Sequence, residues 1–209
     1  HQMMWRFTNS AAADELMLGE INALCTRILR LNPAKEGEVQ QSANWLVYSV
    51  GLWFRCKTEF HRARHRERSC FQLEVLFNQF NDGLDKAPGS QQRLRYAHGC
   101  GFPCVWSIQY EYGMRMMNVG MVVTACNMFK DMMMYEDAAE CLSVADKKYE
   151  CQMLLEERIA IQPTPRLYCI LGDVTNTVEH YLTAWNMSDQ RYARAARALG
   201  RLSFKAGKL

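Results

Sequence analysis

Residues 109–209 repeat one pattern of residue types that suits a pair of packed helices. Each copy has an opening residue, a pair with small or apolar members three positions later, and further small and apolar residues on a second helical stretch. Small residues let two helix backbones approach closely, while larger side chains fill the remaining space. The pattern therefore predicts an all-α solenoid of stacked helical hairpins. Its copies open at Gln109, Tyr135, Tyr168 and Ala196.

The spacing within a copy matches the tetratricopeptide repeat, whose standard length is about 34 residues. Only the step from Tyr135 to Tyr168 is close to that length, so the repeats are irregular. The last copy lacks its second helix, and we expect the natural protein to continue beyond both ends of this chain. The positions expected to pack the repeats together are Tyr112, Gly113, Ala125, Phe129, Tyr135, Ala138, Leu142, Leu155, Tyr168, Leu171, Gly172, Tyr181, Ala184, Leu199 and Gly200.

The remaining sequence predicts two further segments. Residues 1–80 are expected to form an amino-terminal helical segment of the solenoid, and residues 81–104 are expected to form a connector. A first helix is expected after an N-cap at Ser10, and it ends before Pro33. Residues 32–41 are polar and predict a loop. Residues 42–80 form either one long helix or two antiparallel helices; the fading apolar stripe at residues 59–64 favours two. Residues 105–209 hold the repeats, the last of them truncated.

Composition limits the classes of partner. The net charge of +3 and a pI near 8.4 lack the strong asymmetry of a nucleic-acid-binding domain. The longest apolar run, residues 45–54, is too short to span a bilayer, so no membrane partner is expected. Nine cysteines, most of them in helical patterns, favour a reducing compartment, the cytoplasm or the nucleus. Charge itself selects no class of partner; the predicted solenoid makes other proteins the expected partners, with RNA as a weaker alternative.

A basic stretch precedes the connector. It forms either a surface for phosphate or acidic partners, as an RNA-associated module would need, or an ordinary solvated helix face. In the second case Glu59 and Glu67 are the local counter-charges. The basic surface consists of Arg55, Arg62, Arg64, Arg66 and Arg68.

An arginine stripe follows the third repeat, on a helix predicted from residues 190 to 205. Arginine forks suit carboxylates, so this stripe is a candidate site for an acidic partner segment. The alternative is that the arginines bridge to acids of an adjacent repeat, such as Asp173 or Asp189. The arginine stripe consists of Arg191, Arg194, Arg197 and Arg201.

No set of residues indicates catalysis, a cofactor, a metal or a small-molecule substrate. His180 lies beside Glu179 and Tyr181 in the opening turn of a repeat helix, where packing or capping is the expected role. His98, Cys100 and Cys104 offer three potential ligands, but a structural zinc site needs a fourth ligand and paired cysteine spacing. The sequence therefore predicts a protein that is not an enzyme.

Several runs resemble the tetratricopeptide repeat protein 27 family. They are residues 165–173 (PRLYCILGD), 180–185 (HYLTAW), 192–195 (YARA) and 199–201 (LGR), with further similarity at residues 44–49 (NWLVYS) and 134–138 (MYEDA). Residues 177–178 depart from the family, which has a tighter turn there. The resemblance implies the central part of a longer, non-catalytic intracellular scaffold, linked to assembly of large complexes such as a spliceosomal particle.

Overall fold

The computed structural model describes residues 15–31, 44–80, 89–205 and 207, and within those ranges every regular element is a helix. The prediction of an all-α fold is therefore confirmed. The expected N-cap at Ser10, the loop at residues 32–41 and residues 81–88 of the connector lie outside the described residues. The helices are α1 Glu15–Leu31, α2 Trp45–Glu59, α3 Arg66–Asn78, α4 Ser90–Arg93, α5 Val105–Val119, α6 Val122–Asp131, α7 Tyr135–Val144, α8 Lys148–Ile161, α9 Pro165–Thr175, α10 Val178–Met187 and α11 Ala193–Lys205, with a 3-10 turn at Ala63–His65.

The chain divides into two compact units, His1–Arg115 and Met116–Leu209. In the first unit, α2 ends at Glu59 and α3 begins at Arg66, which confirms the preference for two helices over one. The Asn44 side chain caps α2 by accepting a hydrogen bond from the Val47 amide at 3.2 Å. Trp45, at the start of α2, donates its Nε1 hydrogen to Gln79 Oε1 at 3.0 Å, just beyond the end of α3. The two helices are therefore antiparallel.

In the second unit, the small pair Ala138 and Ala139 lies at the centre of the packing of α7. Both residues are 0% exposed, and cysteines from the two neighbouring helices contact their carbonyl oxygens. Cys126 of α6 lies 3.6 Å from the Ala138 oxygen, and Cys151 of α8 lies 3.3 Å from the Ala139 oxygen. Burial raises the pKa of Cys151 to about 11. These thiols behave as small, uncharged core groups, as the sequence predicts.

The helices of the second unit end in tight turns that reverse the chain. Met133, Asp146 and Asn176 follow α6, α7 and α9 respectively, and each has a φ close to +57°. Asn176 is the C-cap of α9, a position where a left-handed residue closes the helix. At the other end of α9, Thr164 accepts a hydrogen bond from the Leu167 amide at 3.3 Å. Short loops of this kind hold successive helices side by side.

Most of the predicted packing positions are buried, but two expectations are wrong. Gly200 is exposed, and a Cβ atom there would meet no other atom within 4 Å, because no described helix lies against that side of α11. The helix predicted from residue 190 begins instead at Ala193, because Asp189 and Gln190 adopt left-handed φ angles of 50° and 62°. The buried packing positions are Tyr112, Gly113, Ala125, Phe129, Ala138, Leu142, Leu155, Leu171, Gly172, Tyr181 and Ala184, while Tyr135, Tyr168 and Leu199 are half-buried.

Candidate functional site

A network of charged side chains joins the first helices of successive repeats in the second unit. Arg166, at the start of α9, lies against three carboxylates of α7. Its guanidinium is 2.7 Å from Asp137, 3.1 Å from Glu140 and 3.3 Å from Glu136. Burial lowers the pKa of Arg166, but the hydrogen bonds that it donates to Asp137 and Glu140 raise it more, so the net shift is upward. One arginine thus ties α9 to a full turn of α7.

Arg194 of α11 extends the same network by one more repeat. Its guanidinium lies 2.6 Å from Glu140 of α7 and 2.8 Å from Asp173 of α9. Asp173 also accepts a hydrogen bond from the Tyr181 hydroxyl at 2.7 Å. We call this set the ion-pair ladder; it consists of Glu136, Asp137, Glu140, Arg166, Asp173 and Arg194.

Glu140 is the shared carboxylate of the ladder, because both Arg166 and Arg194 bind it. Burial raises the pKa of Glu140, but the hydrogen bonds from the two arginines lower it more, and the net shift is downward. The ladder holds four acids and two arginines, so the ladder itself has two more acids than arginines.

The arginine stripe is divided by the ladder. Arg194 already binds Asp173, as the bridging interpretation of the sequence proposed, so it is not an open contact for a partner. Arg197 and Arg201 are exposed on α11 and form no ion pair with any residue that the structure describes. Arg191 is exposed too, but it precedes α11 and does not belong to a helical stripe. The four arginines therefore do not form one site: Arg194 is part of the ion-pair ladder, and the other three are exposed.

The basic surface of the first unit is partly neutralised by a buried acid. Glu59 is 2% exposed, and it accepts hydrogen bonds from Arg55 at 2.8 Å and from Arg68 at 2.5 Å. This is the counter-charge that the solvated-face interpretation required. Arg66 is exposed, with its guanidinium 6.0 Å from the centre of the Phe60 ring.

Two further arginines of the basic surface are exposed and lie outside the α-helices. Arg62 and Arg64 lie in the turn between α2 and α3, and neither forms an ion pair within the described part of the chain. From the sequence, all five arginines were expected to form one surface. Arg62, Arg64 and Arg66 therefore retain the exposed positive charge that the phosphate-binding hypothesis needs.

Sequence reasoning missed one buried charge, Arg115 in α5. Its side chain donates to the Cys56 carbonyl and the Ser69 hydroxyl at 2.8 Å each, and it forms an ion pair with Glu111 at 2.9 Å. The guanidinium also lies 4.7 Å from the centre of the Phe60 ring. The spacing of four residues between Glu111 and Arg115 could have indicated their ion pair. It could not have indicated that Arg115 is buried, because the same spacing is common on exposed helices. Arg115 ties α5 to α2 and α3.

His180 and Cys104, which the sequence offered as candidates for catalysis and metal binding, have contacts with neighbouring side chains. The His180 ring stacks against Tyr168 with a centroid distance of 6.5 Å. Cys104 Sγ lies 2.9 Å from the Ser107 hydroxyl. Across residues 15–31, 44–80 and 89–205, no group of three or more side chains is placed to hold a metal ion, and no helix is long and apolar enough to cross a membrane.

The stacked hairpins, with small residues at each helix contact, define a helical-repeat protein of the tetratricopeptide class. The chain is 29% identical over 169 residues to the tetratricopeptide repeat protein 27 homolog of Dictyostelium discoideum, a match that covers 81% of this chain and 20% of that protein. The chain is therefore similar to the tetratricopeptide repeat protein 27 family over most of its length.

Two further relatives show the same extent of similarity. A TPR repeat-containing protein of Schizosaccharomyces pombe is 26% identical over 206 residues, which cover 85% of this chain and 25% of that protein. The Saccharomyces cerevisiae protein named essential for maintenance of the cell wall protein 1 is 26% identical over 201 residues, covering 92% and 21%. The chain therefore spans a fifth to a quarter of the length of these relatives. No family model and no solved structure matches it.

The ladder bears on one known use of this repeat class, the clamp for an acidic carboxyl terminus of a large chaperone. The sequence places Glu140, Asp173 and Arg201 at the clamp positions of three copies, and the first two are acids held by Arg194. Because like charges repel, we predict that a peptide with a free acidic carboxyl terminus does not bind here. Isothermal titration calorimetry checks this; tight binding that is lost when the peptide is amidated would contradict it.

Proposed function

We propose that this chain is part of a protein–protein interaction scaffold that assists the assembly of a large complex in the cytoplasm or nucleus. The relatives support the scaffold class, because they are named as tetratricopeptide repeat proteins. A spliceosomal particle is the complex that the sequence resemblance suggested, and it is the first candidate to test. The proposal involves no catalysis.

The observation that supports a binding surface on α11 is the contrast between its arginines. Arg194 is fixed by two carboxylates and orients the helix against α7 and α9. Arg197 and Arg201 lie four residues apart, which places them on one side of the helix, and both are exposed. Arginine forks bind carboxylates in a bidentate manner. Arg197 and Arg201, with Arg191 nearby in sequence, would therefore contact acidic residues of the partner.

The test compares two double charge reversals in affinity purification from cell extract. Arg197→Glu with Arg201→Glu should reduce the recovery of the specific partner at least about tenfold, the effect of losing roughly 1.4 kcal/mol of binding energy. The control is Arg62→Glu with Arg64→Glu, an equal charge change on exposed residues of the first unit. Quantitative mass spectrometry measures recovery. Equal recovery with both variants would contradict a partner surface on α11.

The same pair of variants tests the RNA-associated alternative. Binding to phosphates weakens steeply as salt rises, because counterions are released on binding. If the unmodified chain binds RNA at low salt and Arg62→Glu with Arg64→Glu abolishes that binding, the alternative gains support. Absence of RNA binding at low salt would remove it. Glu59 already engages Arg55 and Arg68, which leaves a smaller basic surface than the sequence suggested.

A further inference from the structure

Thr164 lies in the turn between α8 and α9, away from the proposed surface on α11. Pro165 follows it directly, and no other serine or threonine of the chain directly precedes a proline. Gln162 and Pro163 are exposed, and Thr164 is half-buried. A proline holds the residue before it in an extended backbone, which is the form in which proline-directed kinases bind their substrates. Thr164 has this backbone, with a φ of −131° and a ψ of 152°.

Few backbone hydrogen bonds hold Thr164 to α9. The Tyr168 amide donates to the Thr164 carbonyl at 3.3 Å, and the Leu167 amide donates to the Thr164 hydroxyl, also at 3.3 Å. Pro165 has no amide hydrogen, and the first amides of a helix have no acceptors within the helix. Thr164 can therefore leave the helix end while the later turns of α9 stay intact.

A cavity of about 560 Å³ adjoins Thr164, where the start of α7, the end of α8 and the start of α9 meet. Its walls include Thr164, Arg158 and Arg166. The Thr164 hydroxyl donates to Glu136 at 2.5 Å. Tyr135, which precedes Glu136, lies against Arg158, whose guanidinium carbon is 3.5 Å from the ring centre. A phosphoryl group on Thr164 would therefore enter a space that Arg158 borders.

Arg158 has hydrogen-bond donors that the chain does not use. An arginine side chain carries five N–H donors. The Nε hydrogen of Arg158 is buried and meets no acceptor in the part of the chain that the structure describes, where Nη2 donates to Glu157 at 3.2 Å. Glu157 is 61% exposed, so this pair contributes little. Phosphate oxygens are charged acceptors that suit the arginine fork, so Arg158 is placed to receive a phosphate.

The acids of the same wall are already paired. Glu136 and Asp137 line the cavity, and Arg166 binds them at 3.3 Å and 2.7 Å. A phosphate on Thr164 would repel the Glu136 carboxylate, which should lose its bond to Thr164 and keep its bond to Arg166. The Leu167 amide can donate to a phosphate oxygen, so α9 keeps a cap.

We infer that Thr164 is phosphorylated by a proline-directed protein kinase and that Arg158 binds the phosphate. In this reaction the catalytic aspartate of the kinase accepts the proton of the Thr164 hydroxyl, and Oγ1 forms a bond with the γ-phosphorus of ATP. The bond from that phosphorus to the bridging oxygen breaks, and ADP leaves with the bonding electrons. The modification adds a charge of about −1.5 to −2 at neutral pH beside the ion-pair ladder.

The first experiment treats the full chain with ATP and purified cyclin-dependent and mitogen-activated protein kinases, which are both proline-directed. Tandem mass spectrometry should locate a phosphoryl group on Thr164. Thr164→Ser, which keeps a hydroxyl to cap α9, should still be modified at this position, whereas Thr164→Ala and Pro165→Ala should not. Absence of phosphate on Thr164 with both kinases, or equal modification of the Pro165→Ala variant, would overturn the inference.

The second experiment tests Arg158 by phosphorus-31 nuclear magnetic resonance of the phosphorylated chain. A nearby positive charge lowers the second pKa of a phosphate. Arg158→Gln should therefore raise the pKa of the phosphate on Thr164, whereas Arg197→Gln, the same loss of charge on α11, should leave it unchanged. An unchanged pKa in the Arg158→Gln variant would overturn the inference. Neither experiment depends on the α11 surface, so failure of that surface and failure of this site are distinguishable.

Discussion

Replacement of Glu59 with alanine should lower the free energy of unfolding of the first unit by about 3 kcal/mol. The Glu59 side chain is 2% exposed and binds both Arg55 and Arg68. Removal of the carboxylate leaves the Arg55 guanidinium, itself 21% exposed, without its ion-pair partner. Arg68 is 48% exposed and can return to solvent, which keeps the cost at the lower end of the range for broken buried pairs. Chemical denaturation monitored by circular dichroism measures the change.

The matched control for Glu59 is Glu67→Ala on α3. Glu67 is exposed and forms no ion pair with the residues that the structure describes, so its loss should change stability by no more than about 0.5 kcal/mol. Equal effects of the two substitutions would contradict a buried role for Glu59.

The dependence of stability on pH provides a second test of Glu59. Burial raises the pKa of its carboxyl, but the hydrogen bonds from Arg55 and Arg68 lower it more, and the folded value lies below the ordinary 4.5. The unfolded chain therefore takes up the proton first as pH falls. The contribution of Glu59 is present above pH 4.5 and is lost below it. In the Glu59→Ala variant this part of the acid sensitivity should disappear.

The features that could be predicted from the sequence are those set by local periodicity. Ala138 and Ala139 recur at the spacing where two helices meet, and both are fully buried. The apolar stripe of residues 42–80 fades at residues 59–64, and α2 ends there at Glu59. Periodicity reports which side of a helix is buried, because burial follows the helical repeat. It therefore predicted the repeats and the break between α2 and α3.

The ion-pair partners could not be predicted, because they depend on residues distant in the chain. Arg194 binds Glu140 across 54 positions and Asp173 across 21 positions. Nothing in the local sequence of α11 distinguishes Arg194 from Arg197 or Arg201. Glu59 likewise has the sequence context of an exposed residue, since it is surrounded by arginines. Its burial results from the return of α3 against α2, which places Arg68 beside it.

The Leu-Gly pairs of α9 and α11 also show that local sequence does not predict contacts with distant residues, since the two identical motifs have different surroundings. In α9, a Cβ atom at Gly172 would lie 2.8 to 2.9 Å from three carbons of the Tyr181 ring. In α11, a Cβ atom at Gly200 would meet nothing within 4 Å. The motif predicts a close approach, but only the partner helix decides whether the approach takes place.

Gly172→Ala should destabilise the second unit by about 1–3 kcal/mol, the cost of forcing extra volume into a packed contact. The Tyr181 ring cannot easily move away, because it is 5% exposed and its hydroxyl is held by Asp173 at 2.7 Å. Displacing that hydroxyl would also disturb Asp173, which binds Arg194 in the ion-pair ladder. Thermal and chemical denaturation of the full chain measure the loss.

Gly200→Ala is the control with the opposite expected sign. It lies inside α11 with open space around it, so alanine should stabilise the helix by about 0.5–1 kcal/mol through its higher helix propensity. At Gly172 the same gain in propensity is present, and the contact with Tyr181 must outweigh it. The difference in sign therefore isolates the ring contact from the intrinsic preference of the backbone. If both substitutions stabilise the protein, Tyr181 does not lie against α9 in solution, and Asp173 is available to Arg194 alone.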